Sequence, residues 1–463
     1  MDADFSIHIC GICVICGYNR GKVGEVHNPA NLPVSVDRLA RVREDFPVTA
    51  GDFILMLPFA LLLGAMAFAP VCAPGWWLRH YAKIALGLGA VTAGWYALVL
   101  HDWHRLGESA HEYFGFIALV GSLFVVSGGI HLGVKGEATP LKNVAFLFFG
   151  AVIANVLGTT GAAMLLIRPW IRMNQHRVTA HHLVFFIFIV ANVGGCLTPI
   201  GDPPLFLGYL QGVPFWWVAR NCWPAWLLAN GLLLGIFYAL DRKNFLRAPR
   251  PVPTQETARE TWTIEGLPNL FFLAVILGAV FAPSPWREIL MLAAAAGSWF
   301  TTKKSVHAAN DFNFHPIQEV AVLFAGIFAT MIPALAWLDH HAGTLLGQNP
   351  SPAVFFWGTG ALSAGLDNAP TYLGFLSALR GTSGTADISE LLASHAAQIL
   401  AISLGAVFFG AATYIGNGPN FMVKAIAEQN GVKMPSFLEF VVKFSLPFLL
   451  PVMITVWLLF FRS

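Results

Sequence analysis

The sequence predicts an all-α polytopic membrane protein, built from two inverted repeats that contain re-entrant hairpins and broken helices. Composition is the first reason, because 56% of the 463 residues are hydrophobic and only 11% are charged, whereas a soluble domain carries about 25% charged residues. Apolar runs of near-spanning length are the second, since one crossing needs roughly 20 mostly apolar residues whose backbone satisfies its own hydrogen bonds. The third is that three sequence blocks occur twice in the same order.

Hydrophobic segments follow one another along most of the chain, and we count about ten to thirteen of them. Several are interrupted by Gly, Pro and polar residues, which is typical of broken transmembrane helices. The predicted segments are residues 53–72, 84–100, 113–133, 144–167, 183–210, 223–240, 267–282, 289–300, 319–338, 353–379, 396–413, 414–427 and 438–461.

The charge distribution divides the chain into four regions. Arg38, Arg41 and Arg43 precede the first strong apolar segment, so the positive-inside rule places an N-terminal tail, residues 1–50, in the cytoplasm. The basic, proline-containing residues 242–266 are predicted to form a cytoplasmic linker by the same rule. They separate a first membrane half, residues 51–241, from a second half, residues 267–463.

Two stretches of similar sequence indicate the internal repeat. The first half contains "FFGAVIANVLGTTGAAMLL" and then "LTPIGDPPLF", and the second half contains "FWGTGALSAGLDNAPTYLG" and then "ATYIGNGPNF". A third block surrounds Glu112 and Glu319. Each repeat is expected to hold an odd number of crossings, a count that depends on which segments are re-entrant, and an odd number favours inverted topology. Aligning Gly150 with Gly358 and Gly201 with Gly416 pairs these polar positions: Asn155 with Ser363, Thr159 with Asp367, Thr160 with Asn368, Thr198 with Thr413 and Asp202 with Asn417.

Four polar clusters fall at membrane depth: "NVLGTTGAA", "TPIGDPP", "SAGLDNAPT" and "TYIGNGPN". Gly and Pro interrupt the helical hydrogen-bond ladder and free backbone groups. In hydrocarbon such groups are tolerated where they line a cavity or bind something. Carbonyl, amide and carboxylate oxygens suit small cations, and free helix N-termini suit anions. The matched clusters therefore predict a transport site near the membrane midplane.

Asp202 and Asp367 are the predicted ion-binding carboxylates, and each is a candidate transient sodium ligand. An acid at bilayer depth costs about 2.5–3.5 kcal/mol unless it is paired or functional. Burial disfavours its charged form and a bound cation favours it, so such a group binds either a proton or a cation. The structural alternative is an acid that caps a broken helix.

Neutral polar side chains of the same clusters are predicted to complete the site, although an isolated Ser or Thr in a membrane helix more often bonds to its own backbone. These residues are Asn155, Thr159, Thr160, Thr198, Ser363, Asn368, Thr371, Asn417 and Asn420.

Titratable residues outside the clusters have two interpretations each. Glu112 and Glu319 lie near segment starts and are either proton-relay acids or interfacial residues. His181 and His182 open a segment beside an Arg-rich loop and are predicted to be interfacial, with pH sensing as the alternative. No phosphate-binding loop and no nucleophile–base–acid set is evident, so neither ATP drive nor an enzyme is expected. No cofactor is predicted, because the tail cysteines Cys10, Cys13 and Cys16 lack a second cluster at ligand spacing.

At these four clusters the sequence resembles the ion-transporter superfamily, which includes D-type sodium/proton antiporters, arsenite permeases, citrate–metal symporters and dicarboxylate carriers. It is most similar to a bacterial branch described as sodium:proton antiporters or citrate transporters. The resemblance implies a homodimer with scaffold and transport parts. The Ser-x-x-x-Asp-Asn motif of the D-type antiporters matches Ser363, Asp367 and Asn368. Their additional acid is followed by a hydroxyl residue, whereas Glu319 here is followed by Val320, and the paired Ser-Asn-Thr motifs of dicarboxylate carriers match only in part.

Two functions are therefore carried forward. The first is a sodium (or lithium)/proton antiporter that works by alternating access, and the second is a cation-coupled symporter of citrate or another carboxylate. Symport needs a positive counterpart for the anion, and Lys424 and Arg168 are the basic residues nearest the clusters. The expected partners are a small inorganic cation, a proton and the lipid bilayer, with no nucleic acid. The expected location is the bacterial inner membrane, with the N-terminus in the cytoplasm.

Overall fold

The computed structural model describes residues 52–135, 138–247, 261–347 and 349–462. The predicted tail and residues 248–260 of the predicted linker lie outside these ranges. The described part of the first half contains seven α-helices and one strand: α1 (Asp52–Cys72), α2 (Pro74–Leu98), α3 (Trp103–Gly128), β1 (His131–Lys135), α4 (Pro140–Met173), α5 (Ala180–Ile189), α6 (Pro203–Leu210) and α7 (Phe215–Arg247).

The second half follows the same plan with extra short helices. Its described elements are β2 (Thr261–Glu265), α8 (Asn269–Ala279), α9 (Trp286–Thr301), α10 (Lys304–Ala309), α11 (His315–Leu346), α12 (Pro352–Gly365), α13 (Asn368–Ser383), α14 (Ile388–Ser394), α15 (Ala396–Phe409), α16 (Gly418–Gln429), α17 (Phe437–Phe440), a π-helix (Val441–Leu449) and α18 (Leu450–Phe460).

The helices have the length and surface of a membrane protein. Seven of the described helical segments are long and apolar enough to cross a bilayer, and eight if one bent pair counts as a single span. Large apolar side chains such as Ile54 and Phe68 are 66% and 70% exposed, which suits contact with lipid. The prediction of an all-α polytopic membrane protein is confirmed. The exception among the described residues is the small antiparallel β1–β2 pair.

Helix α4 is a re-entrant hairpin, although it is long enough to cross. It breaks at Gly158, where φ is 73° and ψ is 156°, a backbone conformation that favours glycine. Its two ends meet, because the Ala138 N–H donates to the Met173 carbonyl at 3.2 Å. The side chains of Asn143 and Asn174 also bond to each other at 2.8 and 3.1 Å. We call this element hairpin 1.

Helices α12 and α13 form the equivalent hairpin 2 in the second half. They are separated by the extended residues Leu366 and Asp367. The rings of Phe355 and Phe375 are 6.4 Å apart, and a Cβ atom on Gly358 would lie 2.9 Å from the Phe375 ring. The predicted apolar segments 144–167 and 353–379 are therefore hairpins rather than crossings.

A broken crossing follows each hairpin. The first runs through α5, a 3₁₀ turn (Val193–Leu197) and α6, and the second through α15, a 3₁₀ turn (Gly410–Ala412) and α16. The predicted segments 396–413 and 414–427 are thus two halves of one crossing.

Equivalent hydrogen bonds join each crossing to its hairpin and define the repeat register. The Thr159 N–H donates to the Gly201 carbonyl at 2.8 Å, and the Asn368 N–H to the Gly416 carbonyl at 3.1 Å. Thr159 is therefore equivalent to Asn368, and the alignment that paired it with Asp367 is one residue out of register. That alignment is based on Gly150 and Gly358, and two glycines within apolar helices do not define the register to the residue.

The two repeats are inverted. Helices α3 and α11 lie antiparallel, because Phe116 stacks on Phe324 at 4.6 Å and the Ser109 hydroxyl donates to the Phe328 carbonyl at 2.8 Å. At the far end of α3, the space beside Gly128 is filled by Phe312. The β1–β2 pair places the end of α3 and the start of α8 on one side of the membrane, which we call the linker side.

The path of the chain relates the side on which α1 begins to the side on which α7 ends. Between the start of α1 and the end of α7 lie α1, α2, α3, the broken crossing and α7, an odd number of crossings. Helix α1 therefore begins on the side of the membrane opposite the linker side. Most described Lys and Arg residues lie toward the linker side. Five lie on the opposite side: Arg105, Arg220, Arg287, Arg380 and Arg462.

Candidate functional site

Asp202 lies at the centre of a polar cluster where both hairpin tips and both crossings meet. Its side chain is 1% exposed. Oδ1 accepts hydrogen bonds from Thr159 Oγ1 at 2.7 Å and from Asn417 Nδ2 at 2.9 Å. Oδ2 accepts from Asn368 Nδ2 at 2.7 Å. The structure therefore brings together one residue from each of the four clusters found in the sequence.

The local sequence leaves the Asp202 carboxylate free for these contacts. Asp202 occupies the N-cap position of α6, but its side chain accepts no capping hydrogen bond. Pro203 and Pro204 follow it, and proline has no backbone N–H to be capped. The capping alternative is wrong for Asp202, whose carboxylate is directed to side chains instead.

Asp367 behaves differently from Asp202. It is the N-cap of α13, where its Oδ1 accepts from the Ala369 N–H at 3.0 Å, and its side chain is only partly buried. The capping alternative therefore holds for Asp367. Its neighbour Asn368 supplies the direct contact with Asp202, so Asp367 lies beside the cluster rather than at its centre.

A chain of amide side chains continues from Asp202 across the boundary between the repeats. Asn417 also donates to Asn192 Oδ1 at 3.1 Å, and Asn192 Nδ2 donates to Asn420 Oδ1 at 2.7 Å. Asn420 Nδ2 in turn donates to the Gly410 and Thr413 carbonyls at 2.7 and 2.8 Å. Asn192 is not among the residues predicted from the sequence. Its one signal is an amide two residues before the first glycine of the pair in "NVGGCLTPIGDPP", ten residues ahead of Asp202.

One buried oxygen of the cluster is left without a partner. Asn368 is fully buried, and its Oδ1 has no hydrogen-bond partner among the described residues. Gly410 makes room for the surrounding polar groups, because a Cβ there would lie 3.1 Å from Asn192 Oδ1 and 3.2 Å from Asn368 Nδ2. A buried acceptor costs about 1–3 kcal/mol when it is unpaired. It is therefore suited to a ligand that contributes positive charge.

A narrow cavity reaches the site from one side. It is lined by Gly158, Thr159, Thr160 and Asp202 of the first repeat, and by the apolar residues of α3 that include Leu119. Its volume of about 20 Å³ is enough for about one water molecule. In this conformation the site has room for a small ion, whereas organic ligands occupy pockets of about 300–1,000 Å³.

Asn155 and Thr198 brace the backbone and do not contact Asp202. Asn155 Nδ2 donates to the Gly194 carbonyl at 2.7 Å, and its Oδ1 accepts from the Leu197 N–H at 2.7 Å. Thr198 Oγ1 donates to the Asn155 carbonyl at 2.6 Å. They position the crossing loop rather than offering oxygen atoms to an ion.

Ser363 and Thr371 are also held by backbone. Ser363 Oγ donates to the Ala406 carbonyl at 2.7 Å, and Thr371 Oγ1 donates to the Asp367 carbonyl at 2.9 Å. The back-bonded alternative from the sequence analysis describes Thr371, whereas Ser363 ties hairpin 2 to α15. Thr160 lines the cavity wall.

The two glutamates lie apart from the Asp202 cluster, toward opposite sides of the membrane. Glu112 Oε1 accepts from Gln211 Nε2 at 2.7 Å. Glu319 lies in the first turns of α11, near the linker side, and is partly buried. Neither contacts Asp202, so their predicted relay role is not direct.

A second buried cluster fastens the base of hairpin 1 to α7. Asp241 and His182 are fully buried within the protein, and His182 lies in the first turn of α5. Asp241 pairs with Arg177 and accepts from Asn143 Nδ2 at 2.8 Å, while His182 Nε2 lies 3.0 Å away. The ligand atoms of His181, His182 and Asp241 lie within 4.8 Å of one another. The Arg177 guanidinium already neutralises the carboxylate, so we interpret the cluster as a structural clasp.

Inverted repeats whose hairpin tips and broken crossings converge on a buried carboxyl group define a secondary transporter. Comparison with known proteins agrees with this class. Residues 49–461 match a family described as "Putative citrate transport", and the chain belongs to that family. The resemblance to transporters is thereby confirmed, including its citrate-transporter branch.

Mycobacterial proteins are among the relatives. The chain is 24% identical over 389 residues to an uncharacterized transporter of Mycobacterium tuberculosis, a match that covers 77% of this chain and 88% of the relative. It is 26% identical over 327 residues to a 46 kDa membrane protein of Mycobacterium leprae, which covers 66% and 74%. These relatives support a bacterial membrane transporter and leave its substrate open.

Proposed function

We propose that this protein is a sodium (or lithium)/proton antiporter in which Asp202 binds the proton and the cation alternately. One observation carries the proposal. The Asp202 carboxylate is buried, and its hydrogen-bond partners are the neutral Thr159, Asn368 and Asn417. No described basic side chain pairs with it. Because an uncompensated buried charge is costly, the carboxylate needs a proton or a cation.

The surrounding groups suit both states. When Asp202 is ionised, three donors satisfy its two oxygens, and Asn368 Oδ1 is free to join the carboxylate as a ligand for a small cation. When Asp202 is protonated, its charge is gone and the cation loses its main ligand. The two occupants therefore exclude each other, which is the requirement for exchange. Alternating access would then carry them in opposite directions.

Asp367 has a different role in this proposal. It is partly exposed, and it directly precedes Asn368, which bonds to Asp202. Its charge would attract the cation to the mouth of the site, and Asp202 would bind it.

Carboxylate symport is the second candidate, and the family description favours it. An anion needs a positive partner, and neither nearby basic residue reaches the cluster. Arg168 Nε lies 3.5 Å from Asp311 Oδ2, and the Lys424 ammonium lies over the Tyr414 ring at 5.0 Å. With one buried carboxylate at the centre and a cavity of about 20 Å³, the observed geometry fits a cation better than citrate.

We further propose an orientation and an assembly. Because the described basic residues concentrate on the linker side, the positive-inside rule places that side in the cytoplasm, and α1 would begin outside. The proposed location is the bacterial inner membrane, with a homodimer expected from the family resemblance. A reporter after Arg462 tests the orientation, since α18 ends on the side opposite the linker. Alkaline phosphatase fused there is expected to be active and green fluorescent protein dark, and the reverse result would contradict the orientation.

The function itself is tested in everted vesicles from a bacterium that lacks its own sodium antiporters. A pH-sensitive dye reports the proton gradient, and sodium, lithium, choline or citrate is added in turn. Sodium or lithium is expected to collapse the gradient, and choline chloride is the control for ionic strength. The response is expected to disappear in Asp202→Asn. No cation response, together with citrate uptake into right-side-out vesicles, would reject antiport in favour of the symporter.

A further inference from the structure

Two half-helices run from the Asp202 cluster toward the side opposite the linker. Helix α6 begins directly after Asp202 and ends before Gln211, and α13 begins at Asn368 and carries Arg380 in its last turn. The two pack closely, because the missing side chain of Gly208 leaves room for the Tyr372 hydroxyl. Each half-helix therefore connects a residue of the site mechanically to a residue near the membrane surface.

Glu112 lies where these two half-helices end. Its Oε1 accepts a hydrogen bond from Gln211 Nε2 at 2.7 Å. Arg380 is near enough to act on it electrostatically, and Arg380 Nε is buried without a hydrogen-bond partner in the described structure. Glu112 belongs to α3, whose opposite half lines the cavity at Leu119. This carboxylate thus bonds α3 to the far end of α6 and acts electrostatically on Arg380 at the far end of α13.

Several other charged groups lie near Glu112 and Arg380. Glu108 lies one turn earlier on α3, and Asp339 of α11 faces Arg380. On α9, the Arg287–Glu288 pair packs against α3 at Gly115, but its charges bond to each other at 2.6 Å. The Arg380 guanidinium therefore interacts with two acids, and the charge of Glu112 contributes to holding α13 in place.

The equivalent acid of the second repeat has no such contact. Glu319 makes no hydrogen bond or ion pair with any described residue, and the cavity at Asp202 lies against the half of α3 nearer the linker side. Inverted repeats predict that the two ends of the site differ in this way in any one state. Glu112 thus bonds its helix to the end of α6, whereas Glu319 makes no equivalent bond with a described residue.

We infer that Glu112 is a second proton-binding group of the transport cycle, and that its bond with Gln211 closes the site on the side opposite the linker. The inference rests on the proposed function. Ionised Glu112 accepts from Gln211 and attracts Arg380, which holds the ends of α6 and α13 against α3. A proton on Glu112 removes the charge, weakens the bond with Gln211 and the attraction of Arg380, and frees the two half-helices to move away from α3.

The test measures a distance rather than transport. Spin labels are placed on Gly107→Cys, where a side chain meets open space, and on the exposed Trp216→Cys, in a variant without native cysteines that unfolds at the wild-type temperature. The distance is measured on purified protein without sodium at several pH values. It is expected to be short at high pH and to lengthen as the pH falls.

Two variants separate a proton switch from a structural bond. Glu112→Gln keeps a side chain that can bond to Gln211 but has no charge, so it is expected to show the long distance at every pH. Glu108→Gln, one turn away, is expected to behave as the wild type. A Glu112→Gln protein that keeps the wild-type pH response, or a wild type with no response, would overturn the inference. Because no substrate is present, failure of sodium/proton exchange would be seen separately in the vesicle assay.

Discussion

The two crossing loops, residues 198–204 and 413–419, make equivalent threonine hydrogen bonds and differ in charge. In each loop a threonine hydroxyl donates to a hairpin carbonyl, at 2.6 Å for Thr198 and 2.7 Å for Thr413. The same hydroxyl accepts from the following glycine N–H, at 3.1 and 3.2 Å. The next position is Asp202 in the first loop and Asn417 in the second. The amide of Asn417 donates to the carboxylate of Asp202 at 2.9 Å.

The difference between Asp202 and Asn417 shows that the geometry of the site and its titratable group have separate origins. The repeat supplies two broken crossings that meet at mid-membrane, and one residue of the pair supplies a group that can gain or lose a proton. Two carboxylates in direct contact would repel each other, so one would stay protonated. An acid and an amide at equivalent positions leave a single exchangeable charge, held by neutral donors.

The strongest test of the comparison moves the charge between the loops. Asp202→Asn is expected to abolish sodium-dependent proton movement, because an amide neither releases a proton nor balances a cation. Adding Asn417→Asp to that variant returns one carboxylate to the equivalent position, and part of the activity is expected to return. Both are measured in everted vesicles at matched expression. A double variant that is folded and as inactive as Asp202→Asn would show that the two positions are not equivalent.

The two hairpins also differ in how their bases are held, and this difference should appear in the free energy of unfolding. Hairpin 1 is fastened by the buried Arg177–Asp241 pair, whereas the hydroxyls of Thr382 and Ser383 at the end of hairpin 2 bond within α13. Asp241→Asn leaves the arginine charge buried and is expected to lower the free energy of unfolding by about 3–5 kcal/mol. The measurement is denaturant unfolding of purified protein in detergent.

An exposed residue beyond hairpin 2 is the control for that change. Glu390 accepts from the Thr385 hydroxyl at 2.7 Å at the surface. Glu390→Gln is expected to change stability by no more than about 0.5 kcal/mol, as surface substitutions usually do. Equal losses in the two variants would contradict a specific clasp at hairpin 1.

A smaller effect is expected at the tip of hairpin 1. Thr159→Val removes one hydrogen bond to the Asp202 carboxylate, worth about 1.5–3 kcal/mol when the acceptor is charged. The ionised form of Asp202 is then less stable, so protons compete better and sodium binds more weakly. The concentration of sodium that gives half the maximal response should rise by about 10-fold or more. Thr159→Ser keeps the hydroxyl and should stay near the wild type.

The smallest effect is expected at Asp367. Asp367→Asn keeps a side-chain oxygen for the Ala369 N–H, and so removes only the charge of a partly exposed group. Asparagine and aspartate are equivalent N-caps, so stability should not change measurably. Sodium affinity should fall modestly, and less at high ionic strength, where exposed charges are screened. Complete loss of exchange in Asp367→Asn would transfer the central role from Asp202 to Asp367.

Sequence patterns predicted much of this arrangement. Gly and Pro beside amides and acids mark the four clusters because such residues are costly in a membrane unless they are used. Thr159, Asp202, Asn368 and Asn417 were therefore identified before their contacts were known. Asn192 and Gln211 lie near glycines but outside the four clusters, and Asp241 lies within a regular helix. Each of the three gains its meaning from a partner distant in the chain. The side of the membrane on which α1 begins needed a count of crossings that hydropathy, which cannot tell hairpins from spans, does not provide.

Proton release on cation binding tests the central claim most directly. Purified protein in a weakly buffered solution receives sodium chloride, or choline chloride as a control, and a pH-sensitive dye reports released protons. At a pH where Asp202 is partly protonated, sodium should release protons from the wild type and from Asp367→Asn, and none from Asp202→Asn. Equal release from the wild type and Asp202→Asn, or none from either at any pH, would contradict exchange of a proton for a cation at Asp202.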